Sequence, residues 1–179
     1  MTDWSQIVQE YGPIVRRTVY RLLNDEADVS DCFQDTFVAA LKLSRAQRVR
    51  NWPGLLKRLA TARALDRLRK RCQEGPQMSQ FPEGLDVVAM AAEPQQAAES
   101  AELADCLRRA LAEIDTRQAE VFCLACLEEL DYRHIAEQLG VTVNNVGVLL
   151  NRAKASLRER LGAFAPTTSA ERRQREVRP

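Results

Sequence analysis

The stretch Leu130-Asp131-Tyr132-Arg133-His134-Ile135-Ala136-Glu137-Gln138-Leu139-Gly140-Val141-Thr142-Val143-Asn144-Asn145-Val146 carries the strongest structural signal in the chain. Its apolar spacing builds two short helices around one glycine turn, the pattern of a helix-turn-helix. Ile135, Ala136 and Leu139 share one face of the first helix, Gly140 supplies a permissive backbone at the corner, and Val146 and Leu150 close the core from the second helix. Thr142 stands at the N-cap position, where a hydroxyl accepts a free amide. Stepping 100° per residue from Val146 places Val146, Leu150, Ala153, Leu157 and Leu161 on the packed side of the second helix. The opposite side carries Asn144, Val148, Asn151 and Ala155. Asn145 and Arg152 form one shoulder, and Gly147, Lys154 and Arg158 the other. Amide and small side chains can reach base edges there, while the flanking cations reach phosphates. The alternative is a helix pair that merely packs on a neighbouring element.

The chain has 179 residues, enough for one domain or two small ones, and 45% of them are hydrophobic, which fits a globular protein. No apolar run approaches the roughly 20 residues that span a bilayer, and the N-terminus lacks the basic-then-apolar form of a secretory signal, so a cytoplasmic protein is expected. A net charge of +1 argues little for a nucleic-acid binder, but the charge is unevenly spread. Residues 1–72 hold 14 Lys and Arg against 8 Asp and Glu, whereas residues 73–100 hold 5 acidic residues and no basic one. A second polyanion contact is therefore expected in the N-terminal part.

The acidic stretch is also where helical periodicity stops and Pro, Gly, Gln and Met gather. The expected architecture is all-α: two small helical domains over residues 1–72 and 99–162, joined by a flexible acidic linker over 73–98, the second containing the helix-turn-helix. Leu85 to Met90 is a candidate short ordered piece of the linker. Residues 163–179, with Arg172-Arg173-Gln174-Arg175, read as a disordered basic tail.

Within the first domain, Val29, Phe33, Phe37 and Ala40 form a core stripe. Asp28, Asp31 and Asp35, spaced by three and four, form an acidic stripe that either meets a basic partner or is simply solvated. The next helix begins with Asn51 as a cap and Pro53 in its first turn. Leu55, Leu59 and Ala62 pack inward, Arg63, Arg67 and Lys70 line another face, and Lys57 and Arg58 lie near the start. Trp52 adjoins the basic loop carrying Arg45, Arg48 and Arg50. Cations beside an aromatic suit single-stranded or partly melted DNA; a solvated basic face with a core Trp is the alternative.

Taken together, both halves resemble an extracytoplasmic-function sigma factor, the smallest kind of bacterial promoter-recognition subunit of RNA polymerase, over about residues 5–162. Asp28-x-x-Asp31-x-x-Gln34-Asp35-Thr36-Phe37 resembles the region-two helix that grips the polymerase clamp, and Trp52 with Ala64-Leu65-Asp66-Arg67-Leu68-Arg69 resembles the helix after it. Tyr132-x-x-Ile135-Ala136-x-x-Leu139-Gly140 through Asn151-Arg152-Ala153-Lys154 resembles the region-four helix-turn-helix. The resemblance implies that Asp28, Asp31, Gln34, Asp35 and Phe37 bind core polymerase at its clamp. It implies that Arg45, Arg48, Arg50, Asn51, Trp52, Lys57, Arg58, Arg63, Arg67 and Lys70 open the minus-ten element, with the loop from Leu43 to Asn51 receiving a flipped base. Thr142, Asn144, Asn145, Val148, Asn151, Arg152, Lys154 and Arg158 would read the minus-thirty-five element while the domain touches the polymerase flap. The linker would run near the RNA path, and an anti-sigma factor would be a partner. The chain departs from the family at Gly147 and Leu149, where many members carry basic residues. Glycine there also costs about 1 kcal/mol of helix propensity, so the isolated second domain is expected to bind DNA weakly.

Cys32, Cys72, Cys106, Cys123 and Cys126 are read as free thiols. A zinc site from Cys123, Cys126, His134 and Cys106 is arithmetically open, but small apolar core positions explain these residues better, and neither metal nor cofactor is expected. With no phosphate-binding glycine loop and a single histidine, an enzyme is not expected either. No stable homo-oligomer is expected. Two other functions stay open: a stand-alone helix-turn-helix regulator that binds duplex DNA without the acidic stripe, and a sigma-like sensor that sequesters partners.

Overall fold

The computed structural model describes residues 3–74 and 94–164. The candidate piece at Leu85 to Met90, and the tail beyond residue 164, lie outside the described residues. Seven α-helices and one π-helical turn make up the described chain: α1 (Trp4–Leu23), α2 (Glu26–Ala46), α3 (Trp52–Glu74), α4 (Pro94–Glu113), α5 (Thr116–Phe122), the π-helical turn Cys123–Leu127, α6 (Tyr132–Leu139) and α7 (Val143–Phe164). The fold is all-α. Helix α4 begins at Pro94, inside the stretch whose composition reads as linker. Proline's fixed φ and missing amide suit a first helical turn, so it starts this helix rather than ending order.

Short polar side chains set the helix starts. Asp3 accepts from the amides of Ser5 and Gln6, Asp25 from that of Asp28 at 2.9 Å, Asn51 from that of Gly54 at 2.9 Å, and Asp115 from those of Arg117 and Gln118. Each satisfies amides that have no partner within the helix. Helix α1 ends on Asn24 at φ 49°, whose N–H returns to the Tyr20 carbonyl. Asparagine tolerates this left-handed conformation, and the chain reverses into α2 after two residues. The π-helical turn closes with Glu129 at φ 54°, where the Leu130 amide bonds back to the Leu124 carbonyl.

Helices α1, α2 and α3 pack on one another, and α5, α6 and α7 form the helix-turn-helix unit. Helix α3 touches both groups, meeting α1 and α2 and also α4, α5, the π-helical turn and α6. One continuous core results. Val15, Val19, Val29, Leu56 and Leu65 belong to the same buried cluster as Leu111, Ile114, Ala119, Cys123 and Leu157. A smaller cluster of Val121, Leu124, Ile135, Ala136, Val146 and Leu150 holds the helix-turn-helix. The two helix groups therefore share apolar surface, where the sequence suggested only a tether between them. Burial at about 25 cal/mol per Å² makes such sharing favourable whenever both faces are apolar.

Gly140 ends α6 at φ 64°, and a Cβ placed on it meets nothing within 4 Å. Only backbone strain then opposes a side chain. Gly140→Ala is expected to cost about 1 kcal/mol in chemical denaturation of the full chain, with Gly140→Asn recovering part of it. A cost near zero would show that the corner adopts another conformation.

Candidate nucleic-acid interface

The helix-turn-helix is set by its own caps and core. Asp131 caps α6, accepting from the His134 amide at 2.9 Å, and that hydrogen bond is the main reason its carboxyl is held below the ordinary range. The Thr142 hydroxyl accepts from the Asn145 amide at 3.2 Å and so starts α7. With Val146, Leu150, Ala153 and Leu157 buried, the opposite face of α7 presents Asn144, Asn145, Val148, Asn151, Arg152 and Arg158 to solvent, while Lys154 is half-buried. Val143 and Tyr132, outside the residues assigned to the minus-thirty-five element, add exposed apolar surface. Gly147 lies beside Tyr132, whose ring edge would stand 3.9 Å from a Cβ there, an ordinary van der Waals distance at which a small side chain would fit.

In the N-terminal helices the acidic and basic stripes, read from the sequence as separate surfaces, form the two walls of one groove. Asp31, Gln34 and Asp35 of α2 face Arg63, Asp66, Arg67 and Lys70 of α3 across it. Asp28 does not belong to the exposed stripe. It is 6% exposed, with Oδ1 2.6 Å from Arg67 Nε and Oδ2 3.1 Å from Arg71 Nη1. Arg71 also lies 3.7 Å from Asp25. The spacing of the three aspartates is helical, as expected, but the start of α2 lies against α3, so the first of them falls in the helix contact while the others project. Arg67 is correspondingly held by Asp28, whose hydrogen bond and charge raise its pKa. Phe37 is also a core residue, 8% exposed, with its ring 5.0 Å from that of Phe33.

Arg45, Arg48 and Arg50 are exposed. A surface cavity lined by Ser44, Arg45, Gln47, Arg48, Val49 and Trp52 lies at this end of α2 and α3. Helix α2 continues to Ala46, so the first half of the segment read as a base-receiving loop is helical. Trp52 is half-buried and meets Trp4 edge-on, with centroids 5.4 Å apart and planes at 87°, leaving part of its ring for the cavity. Asn51 is occupied as the cap of α3, and a Cβ on Gly54 would approach its amide nitrogen to 2.8 Å. Lys57 and Arg58 do not lie on a free face. Lys57 Nζ donates to the Glu128 carbonyl at 2.8 Å, and Arg58 sits close enough to Glu120 of α5 to oppose the upward shift that burial imposes on that carboxyl. Helix α3 buries residues on more than one side, which a reading restricted to a single inward stripe misses.

The thiols divide by burial. Cys32 is pushed up to about 11, first by burial and then by the charge of Asp28, and burial raises Cys123 as well. Cys123 is buried and Cys126 exposed, because the wider π turn carries the later residue away from the earlier one. The His134 ring engages Asp131. Among the described residues no three metal-ligating side chains come together, and no helix is long and apolar enough to cross a membrane.

The family model described as Sigma-70 region 2 matches residues 7–73, and that described as Sigma-70, region 4 matches residues 104–157. The chain belongs to the sigma-70 family, and within it to the extracytoplasmic-function sigma factors. It is 28% identical over 170 residues to the ECF RNA polymerase sigma factor SigE of Mycolicibacterium smegmatis, covering 94% of this chain and 65% of that protein, so it spans just under two thirds of that relative's length. Among solved structures, the sigma factor RpoE in complex with the anti-sigma factor NepR from Bartonella quintana shares the fold with a TM-score of 0.54 at 19% identity, over 90% of this chain and 98% of that one.

Proposed function

We propose that this protein binds bacterial core RNA polymerase and directs promoter-specific initiation of transcription. The observation that carries the reading is the order of two sigma-70 region matches along one chain, the second ending in a helix-turn-helix whose outer face is open. In this reading Asp31, Gln34 and Asp35 present carboxylates and an amide to a basic surface of the clamp. Asp28 and Phe37 act from within, by fixing α2 on its neighbours. Arg45, Arg48 and Arg50, beside the Trp52 cavity, take the melted minus-ten strand, where unstacking costs a few kcal/mol per step and capture of a base and its phosphates offsets it. Arg63 and Lys70 extend the same basic edge. Because the polymerase supplies the chemistry, this chain supplies only positions and charges and acts without catalysis of its own. The RpoE neighbour is a complex with an anti-sigma factor, which supports a comparable inhibitor here.

Transcription in vitro with purified core polymerase and a promoter pool tests the proposal. Starts that require this protein and share two spaced upstream elements are expected. Capture of duplex fragments by the protein alone, with no new starts, would replace the proposal by the stand-alone regulator; neither result would favour a sequestering sensor.

The α7 geometry gives a finer expectation. Substituting Asn144, Val148 or Asn151 should change which upstream elements are used, each mismatch shifting preference by about 1–3 kcal/mol. Substituting Arg152 or Arg158 should weaken all promoters alike and flatten the salt dependence. Equal behaviour of the two groups across a promoter library would show that another face of α7 meets the bases.

A further inference from the structure

The outer surface of the helix-turn-helix carries no charge where α7 begins. From Gln138 to Asn151 there is no acidic or basic side chain, so about the first two and a half turns of α7 present only amides and apolar groups. Asn144, Asn145, Val148 and Asn151 are exposed there, Val148 at 39%. The side chains of Asn144, Asn145 and Asn151 make no hydrogen bond to other described residues. A solvated helix face ordinarily carries charged residues. This one instead holds a branched apolar side chain in water among amides. Asn144, Val148 and Asn151 follow one another at i, i+4 and i+7, and so form one row about 10 Å long, the length of about three base-pair steps. Asn145 stands to one side of it.

Base edges differ in what they ask of such a row. Guanine offers two acceptors, which Arg or Lys takes, and cytosine a donor, which Asp or Glu takes. Adenine offers a donor beside an acceptor, which one carboxamide matches with both its polar atoms, and thymine adds a methyl group for an apolar contact. The cations of α7 begin only at Arg152, where the row ends, and its carboxylates at Glu159, whereas the N-terminal residues of a recognition helix are the ones that meet base edges. We propose that α7 reads an upstream element of about four consecutive A·T pairs, with Asn144 and Asn151 each bonded to N6 and N7 of an adenine and Val148 against the C5 methyl of a thymine between them. The inference rests on the promoter reading of α7 and deepens it by naming the bases.

The test uses the full chain with core polymerase and a promoter library randomised over the upstream element, the downstream element being fixed. Templates with A·T pairs at about four adjacent positions are expected to be used about tenfold more than their G·C counterparts. Base analogues in a favoured template then assign the contacts. Uracil for thymine removes only the methyl group, and should lower promoter-complex formation about threefold with the parent chain and leave Val148→Ala unaffected. 7-Deazaadenine removes only N7, and should cost about fivefold at one position with the parent and nothing there with Asn151→Ala; a second position should pair in the same way with Asn144→Ala. Asn151→Arg should move the preference at its position from adenine to guanine. The substituted side chains are exposed, so thermal unfolding should match the parent. The same library offered as duplexes to the full chain alone at low salt gives a readout independent of transcription. G·C enrichment in either readout, or equal use of the four bases in both, would overturn the base assignment. So would an A·T preference that survives both analogues, which marks reading of duplex shape. A·T enrichment among captured duplexes with no promoter-specific starts would overturn the sigma reading and leave the base assignment standing; neither starts nor captured duplexes would overturn both.

Discussion

Reversing both exposed carboxylates of α2, with Asp31→Lys and Asp35→Lys, is expected to abolish capture of core polymerase and promoter-specific transcription together. Each position would turn an attraction for a basic surface into a repulsion, and close charge pairs at interfaces couple by about 1.5–7 kcal/mol. A loss on the order of hundredfold or more in affinity follows from even the lower end of that range applied twice. Both side chains are exposed, so the folded chain should lose little stability. They face Arg63 and Lys70 across the groove, and the reversal adds repulsion there. A direct pull-down with core polymerase, alongside circular dichroism of the free variant, separates the two effects. Retention of polymerase binding by a folded double variant would move the clamp contact off this groove.

Asp28 should behave in the opposite way. Asp28→Ala leaves Arg67 and Arg71 facing a helix contact without their carboxylate, and removing one partner of a buried pair costs about 3–5 kcal/mol in the fully buried limit. Arg67 and Arg71 are 44% and 29% exposed, so solvent screens part of the loss and about 2–3 kcal/mol is the better expectation. That corresponds to a melting temperature lower by on the order of 10 °C. Thermal and urea unfolding measure it directly. Transcription by Asp28→Ala should recover on cooling, whereas the Asp31/Asp35 variant should not, since one loses fold and the other loses partner. An unfolding midpoint equal to that of the parent would show that the Asp28 cluster does not hold α2 on α3.

The contrast between these aspartates shows where the sequence stops being informative. Spacings of three and four put Asp28, Asp31 and Asp35 on one side of a helix, and nothing local distinguishes the first from the others. Burial depends on where α3 crosses, which is a property of the pair. Phe37 was legible as a core residue from its periodicity, although the family resemblance also cast it as a polymerase contact. Lys57 and Arg58 illustrate the harder case. A basic helix start reads as a surface for an anion, and here Lys57 lies 3.6 Å from the carboxylate of Glu128 and donates to its carbonyl, more than 60 residues further along the chain. The π-helical turn was likewise invisible, because Cys123-Leu124-Ala125-Cys126 has ordinary helical composition and the wider turn is selected by packing.

The sequence alone determined the all-α class, the caps at Asn51 and Thr142 and the helix-turn-helix with its outward face, since these follow from hydrogen bonding and apolar periodicity within a few residues. It also determined the family, through motifs that are contiguous. Tertiary structure alone decided which charges remain free. A carboxylate or guanidinium has the same chemistry everywhere along the chain, but its availability to DNA or polymerase depends on whether a distant helix of opposite charge already lies against it.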